Sequence, residues 1–469
     1  MMSKLFVGPA MQSLAVLSTL WLFSAEDCST GYYTSNHYGT WKRTAVTSEE
    51  KMPGVDAVQE FDVEGIHVIM KTSHDIPTVA MSLFIKGGKY LLPEEMPIEV
   101  EDVAIAIPFR EGGEGMTKAA FSKSARRNVI GFTTQLHLDC SEILVHTTRE
   151  AFDTAWRLFA LALNRPRYTD SVIERYRRAW TNDIITRESE PLRATGRLAA
   201  KYFFNAHPFG RLSTTSDIKR IDSGMLARAH DLLFVKKRLL ITAVGNIDRA
   251  DLEEKIRTSF FSSLPEGEFS DPTPDPLTAS EHPVVVFDPG TRKLPTHYVR
   301  GYFVGPAGTT RASTAFAAEC AILGYEVHKF VRTNKALGYA PGVTCEQSYT
   351  SYGVVTMEVQ DVKEAMAAVD SALYTVRSKY YMPGDGNKPI SRTKTSVLSQ
   401  NSSPVTLASK LGKAQITKGY WWDAFEGYAR PGELHAADYK ACAERYLQNI
   451  SWFVVGDTTG LEKSWFHGE

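Results

Sequence analysis

Apolar and polar residues alternate from Ile66 to Met70, and a nearly continuous apolar run from Thr78 to Ile85 ends in Gly87-Gly88. Both stretches predict strands of a first hairpin. Between Ala151 and Leu163 the period changes: Trp156, Phe159 and Leu163 recur at helical spacing. A longer amphipathic helix is expected from Ser171 to before Pro191. Leu239–Val244 reads as a strand that passes through Gly245-Asn246 into a helix over Arg249–Phe260. Ser262–Pro283 then gathers Pro265, Pro272, Pro274, Pro276 and Pro283 with acids between them, the pattern of a linker. Strands resume at Val284–Phe287 and His297–Val304, followed by a helix over Ala312–Val331, a strand at Val354–Val359 and a last strand at Trp452–Val455.

The two sides of the linker look related. Thr242-Ala243-Val244-Gly245-Asn246 is followed by Asp251-Leu252-Glu253, and Phe453-Val454-Val455-Gly456-Asp457 by Gly460-Leu461-Glu462. These Val-Gly pairs stand 211 positions apart, while Ile76-Pro77-Thr78 and Leu294-Pro295-Thr296 stand 218 apart. Two nearly equal offsets predict two copies of one α+β domain, each a mostly antiparallel sheet packed by helices. The expected division is an N-terminal targeting or extension segment 1–53, a domain 54–261, the linker 262–283 and a second domain 284–469.

Composition narrows the function classes. The 469 residues are 43% hydrophobic and 23% charged, enough for a sizeable core. With 53 Lys+Arg against 54 Asp+Glu, the net charge of -1 provides no overall positive field for nucleic acid. The basic run Lys123–Arg127 with Lys118 reads as a solvated helix face. Five scattered cysteines (Cys28, Cys140, Cys320, Cys345, Cys442) form no Cys-x-x-Cys pair and argue against a disulfide framework. Met11 to Ala25 is apolar, short and interrupted by serines, which fits a secretory signal, an organellar presequence or a plain hydrophobic terminus. Glu111-Gly112-Gly113-Glu114-Gly115 lacks the Lys-Ser/Thr ending of a phosphate loop and is expected to be a flexible connection.

Several short stretches in a fixed order carry a resemblance. Ile173-Glu174-Arg175, Ala206-His207-Pro208-Phe209-Gly210, Val244-Gly245-Asn246 and Arg332 through Leu337-Gly338-Tyr339 make the chain from about Gly54 onward resemble the pitrilysin/insulinase-type zinc peptidases. Within them it most resembles the processing peptidase subunits of mitochondria and the core proteins of respiratory complex III. Active members of that family carry His-x-x-Glu-His on the helix after the first hairpin, and a further carboxylate ligand on a later helix. Alignment on Phe109-Arg110 puts Asp102, Ile105 and Ala106 at the His, Glu and His positions, and Tyr176 and Asp183 at the later acids. Only Asp183 keeps a carboxylate able to reach a metal. None of the twelve histidines lies four residues from another, so no local pair supplies two ligands. The resemblance therefore implies no bound metal or other cofactor and no catalysis.

The same resemblance gives Arg332 and Tyr339 the place of a pair that holds substrate backbone and stabilises an oxyanion. The alternative is structural: Arg332 pairs with an acid, Gly338 makes a turn and Tyr339 begins a packed strand. By resemblance the protein is a non-catalytic core subunit of complex III on the matrix side of the mitochondrial inner membrane. Its partners would be a second core-type subunit, cytochrome b and cytochrome c1. The substrate-recognising, non-catalytic subunit of a processing peptidase is the alternative, and an active metallopeptidase the third reading. Association would require apolar surface, with Trp421 and Trp422 as candidates unless they are core.

Overall fold

The computed structural model describes residues 55–466 except 56, 89–91, 206, 270–276, 278–282, 290–294, 307–309, 348–349, 379–397, 428–429 and 431–432. The expected targeting segment and most of the linker lie outside the described residues. Among the described residues, the first sheet has β1 (Val58–Val63), β2 (Ile66–Thr72), β3 (Thr78–Lys86), β4 (Gly131–Leu136), β5 (Cys140–Thr148) and β6 (Leu239–Gly245), in the order β1-β2-β6-β3-β5-β4. The second has β7 (Val285–Asp288), β8 (His297–Val304), β9 (Gly342–Glu346), β10 (Tyr352–Val359) and β11 (Ser451–Val455), in the order β7-β11-β8-β10-β9. With β1 set aside, the second order repeats the first strand for strand. The parallel pair also recurs: β2 with β6, β7 with β11, all other pairs being antiparallel. Each half is thus the expected α+β unit.

The Val-Gly correspondence marks equivalent places. Gly245 ends β6 with φ +121°, and a Cβ there would lie 2.2 Å from the Thr78 carbonyl oxygen. Gly456 follows β11 with φ +155°, and its Cβ would lie 3.2 Å from the Thr296 carbonyl oxygen. Both positions favour glycine because the left-handed backbone is strained for any other residue. Thr78 and Thr296 belong to the second pair of related segments, so the two offsets describe one repeated contact.

The helices are α1 (Glu99–Glu111), α2 (Lys118–Arg127), α3 (Phe152–Asn164), α4 (Asp170–Ser189), α5 (Pro191–Ala199), α6 (Thr215–Lys219), α7 (Ser223–Leu233) and α8 (Arg249–Arg257) in the first half. The second half contributes α9 (Arg311–Val327), α10 (Val362–Ser378), α11 (Pro404–Lys418), α12 (Asp423–Glu426) and α13 (Ala436–Tyr446). β3 is apolar between its ends except for Ser82, whose hydroxyl donates to Glu142, because both its faces are covered. Val79, Met81, Leu83 and Ile85 face the helices of their own half, while Ala80 and Phe84 face Leu407, Ala408 and Leu411 of α11. The reciprocal contact exists in the second sheet, where Tyr302, Val354 and Phe453 meet Ala199 of α5 and Phe204 of the π-helical turn after it. Each half covers one face of the other's sheet with a helix.

Other expectations need adjusting. Trp421 is buried at 7% exposure against the first sheet, and Trp422 packs beside it, so neither provides an exposed association surface. The helix expected to reach Val331 leaves α-geometry at Val327 and continues as a π-helix to Asn334. The linker is anchored where it begins: Lys236 N–H donates to the Pro265 carbonyl at 3.0 Å and Lys237 N–H to that of Glu266 at 3.2 Å. Finally, β4, β5 and β9 give no clear pattern in the sequence. β4 is an edge strand with mostly exposed residues, and β5 buries the polar Ser141 and Glu142 within its apolar run.

Candidate functional site

α1 follows β3, which β6 separates from β2, so Ile66–Met70 and Thr78–Ile85 do not form the hairpin expected. The helix begins with three acids, Glu99, Glu101 and Asp102, which suit the positive end of its dipole. Pro108 lies inside the helix and cannot donate to the Ala104 carbonyl. The Tyr168 hydroxyl donates to that carbonyl instead, at 3.1 Å, so the helix continues through the proline. Beyond its end the glycine-rich stretch is pinned, contrary to the flexible connection expected. Glu114 N–H donates to the Arg165 carbonyl at 2.7 Å, and the buried Glu111 carboxylate receives Lys118 Nζ at 2.8 Å and Arg175.

The positions aligned with zinc ligands lie on α1 and α4. Ile105 is fully buried in the core and Ala106 nearly so, and neither alkyl side chain has a lone pair to offer. Asp102 is half-buried, its carboxyl raised above the usual range by burial, with Arg110 and Arg187 opposing and Glu99 adding to the rise. Tyr176 packs half-buried against the first core. Asp183 is engaged by Arg187 one turn later and by Arg193 Nη1 at 3.7 Å. Among the described residues no group of three or more His, Cys, Asp or Glu is arranged to hold a metal ion. A zinc ion requires three protein ligands, and these residues do not fit one.

A cleft of about 330 Å³ adjoins these positions, with Asp102 alone of the five among its lining residues. It is walled by the start of α1 (Ile98, Glu99, Glu101, Asp102), the β4–β5 turn (Leu136, His137, Leu138), Trp180 and Arg187 of α4, and Glu346 at the end of β9. Residues from both halves therefore meet there. Four carboxylates face one arginine and one histidine. Glu99 is 5% exposed, and among the described residues its Oε2 has no hydrogen-bond partner. Burial also holds the Glu346 carboxyl above its ordinary range; Asp139 adds to this, while His137 and Lys413 oppose it. Glu142 behind the cleft differs: burial raises it, but hydrogen bonds from His137, Ser409 and Ser82 outweigh this and hold it low. The arrangement suits a cationic group with an apolar stem, since Glu99 Oε2 has no hydrogen-bond partner among the described residues and Ile98, Leu136, Leu138 and Trp180 line the rest.

Sequence reasoning missed Glu99, Trp180, Arg187 and Glu346. The signal for Glu99 is its position three residues before Asp102 on one helix face; Glu346, from the other half, has none. Arg332 and Tyr339 are brought together, though neither is among the cleft's lining residues. Arg332 donates to the Tyr339 carbonyl and its guanidinium lies 4.3 Å from the centre of the Tyr339 ring. Tyr339 is 80% exposed and β9 begins only at Gly342, so the reading of Tyr339 as the start of a packed strand is corrected. His207 is the turn histidine expected, its Nδ1 accepting from Phe209 N–H at 3.2 Å.

Residues 220–381 match the family model described as the peptidase M16 inactive domain, the M16 peptidases being the pitrilysin/insulinase type. That match begins after every position aligned with zinc, so its description concerns the later segment. No curated protein matches the chain. Among solved structures, the peptidase M16 inactive domain from Pseudomonas fluorescens is 15% identical, with TM-score 0.74 over 86% of this chain and 99% of that one. A protease from Helicobacter pylori is 14% identical, with TM-score 0.75 over 85% and 99%. A chain of complex III2 from Candida albicans is 14% identical, with TM-score 0.68 over 87% and 98%. At these identities the likeness is one of fold. The resemblance read from the sequence is borne out by the matched segment and by the shared architecture.

Proposed function

We propose that this chain is a non-catalytic, core-type subunit of respiratory complex III, peripheral to the inner membrane on its matrix side. In this reading it pairs with a second core-type subunit and supports cytochrome b and cytochrome c1. The observation that carries the reading is the loss of ligand and base chemistry at the positions aligned with the zinc site. Where activation of water requires two imidazoles and a general base, the chain has Asp102, Ile105 and Ala106, with Ile105 and Ala106 buried. Its Asp183 carboxylate already serves Arg187 and Arg193. The fold likeness to a chain of complex III2 supports the assembly named. No helix of the described residues is long and apolar enough to cross a membrane, which suits a peripheral place. With Trp421 in the core, association would use exposed side chains such as Tyr374 and Ile185. Detergent extraction of membranes from the source cells, followed by native separation, tests this: the chain should migrate with haem-bearing subunits, and migration apart from them would refute it.

A second reading, the substrate-recognising subunit of a processing peptidase, is favoured by one observation. The orphaned Glu99 oxygen in an acidic cleft would accept a basic side chain of a presequence. Glu99→Gln should then weaken binding of a basic presequence peptide at least about tenfold; unchanged affinity would remove the reading.

A further inference from the structure

Three cysteines that the proposed function does not use converge in the second half. Cys320 lies on α9, Cys345 on β9 and Cys442 on α13; all are free thiols, Cys320 and Cys442 buried and Cys345 half-buried. α9 lies directly on β9. A Cβ on Gly324 would stand 3.3 Å from the Val343 backbone nitrogen, so helix and strand backbones touch there without an intervening side chain. Cys320 precedes Gly324 by one helical turn, and Cys345 follows Val343 by two strand positions, on the same face. Four helical residues advance about 6 Å, and two strand residues about 6.6 Å. The contact that sets Gly324 on Val343 therefore sets Cys320 on Cys345. The two thiols are close enough for Cys345 to help hold Cys320 protonated; Cys320 lies in the core of this half and Cys345 packs against it. Close backbone approach is what a disulfide requires, its Cα atoms lying about 4.4–6.8 Å apart.

We propose that Cys320 and Cys345 form a reversible disulfide when the protein meets a small-molecule disulfide, tying β9 to α9. The bond would close the loop 321–344, which contains Arg332 and Tyr339, and would fix the strand whose last residue, Glu346, lines the cleft. Cys345 reacts first because it alone of the three reaches solvent. Its sulfur, having given its proton to water, attacks one sulfur of the small disulfide, RSSR. One RS⁻ leaves and takes up a proton, and Cys345 is left as a mixed disulfide. The Cys320 sulfur then attacks Sγ of Cys345, its proton passing to the second departing RS⁻. In sum, two protein thiols are oxidised to one disulfide, and RSSR is reduced to two RSH. Burial keeps Cys320 in its thiol form, which makes the second step the slower one.

The test is incubation of the full chain with glutathione disulfide, followed by peptide mass spectrometry without reduction. The proposal expects a crosslink joining the peptides of Cys320 and Cys345, reversed by dithiothreitol, and about tenfold or slower amide exchange at 342–346 after oxidation. Cys320→Ala should leave a persistent glutathione adduct on Cys345, and Cys442→Ala should leave the crosslink intact. Circular dichroism identifies any variant that fails to fold; the wild-type crosslink then remains the deciding readout. A lasting adduct on wild-type Cys345, a crosslink to Cys442, or no reaction overturns the proposal.

Discussion

The indole Nε1 of Trp421 donates a hydrogen bond to Oε2 of Glu60 at 2.8 Å, joining residues 361 positions apart in the chain. Together with the Thr242 hydroxyl, which donates to the Ala408 carbonyl at 2.8 Å, this contact seats a helix of the second half on the sheet of the first. The two repeats are therefore interlocked, and the boundary at 262–283, which we retain as the proposed division of the chain, separates sequence rather than packing.

Gly412 tests that seating. In a solvent-facing helix, Gly→Ala stabilises by about 1 kcal/mol. Here a Cβ at position 412 would stand 2.0 Å from Phe84 Cε2 on β3. Gly412→Ala should instead destabilise the protein by about 1–3 kcal/mol while leaving a single unfolding transition. Chemical denaturation followed by both fluorescence and circular dichroism measures this. A stabilised variant, or two separate transitions, would mean that α11 does not lie on the first sheet.

Val129 is strained and exposed. Its φ is +53° and it is 76% accessible, between α2 and β4. A β-branched residue is costly in this region of backbone space, and its side chain gains nothing from burial. Val129→Gly should raise stability by about 1 kcal/mol, read as a shift in the denaturation midpoint. A loss of stability would show that the backbone there is not left-handed.

Glu433 sets a pH dependence. Burial pushes its carboxyl up to about 7, against the opposing pull of Arg430 and Arg311. A raised folded-state value means that the protonated form favours folding. This contribution is complete below the ordinary value of 4.5 and is lost as pH rises through about 7. Because the side chain is only partly buried, screening by water reduces the effect: Glu433→Gln should stabilise the protein at pH 8 by about 1 kcal/mol and hardly at all at pH 4. Equal effects at both pH values would contradict the assignment.

Metal analysis addresses the degenerate site. After incubation with zinc and dialysis, the protein should retain less than stoichiometric metal, because Ile105 and Ala106 cannot ligate and Asp183 is ion-paired. Asp183→Ala should leave metal content unchanged and cost no more than about 1 kcal/mol, as expected for exposed ion pairs. One zinc per chain, lost in the variant, would restore Asp183 as a ligand.

Local chemistry made much of this fold readable in advance. Leu239–Val244 declares itself as a strand because its short apolar run is buried on both faces, and His297–Val304 because it is rich in valine and aromatic residues. The repeat is legible because Gly245 and Gly456 meet the same backbone requirement. The helix exchange is not legible, since the apolar stripe of α11, with Leu407 and Leu411, does not say which sheet it covers. The candidate site divides similarly: the loss of ligand chemistry at Ile105 and Ala106 is written in one short stretch. The cleft beside it depends on Glu346, brought in from the other half by tertiary packing alone.

The function proposed for this chain is association and not turnover. Mass-spectrometric identification of its native assembly, isolated from the membranes of its source cells, tests that most directly. The chain should be recovered with a second core-type subunit, cytochrome b and cytochrome c1, and with no presequence-cleaving activity of its own. Recovery as a stable free monomer that cleaves presequences would contradict it.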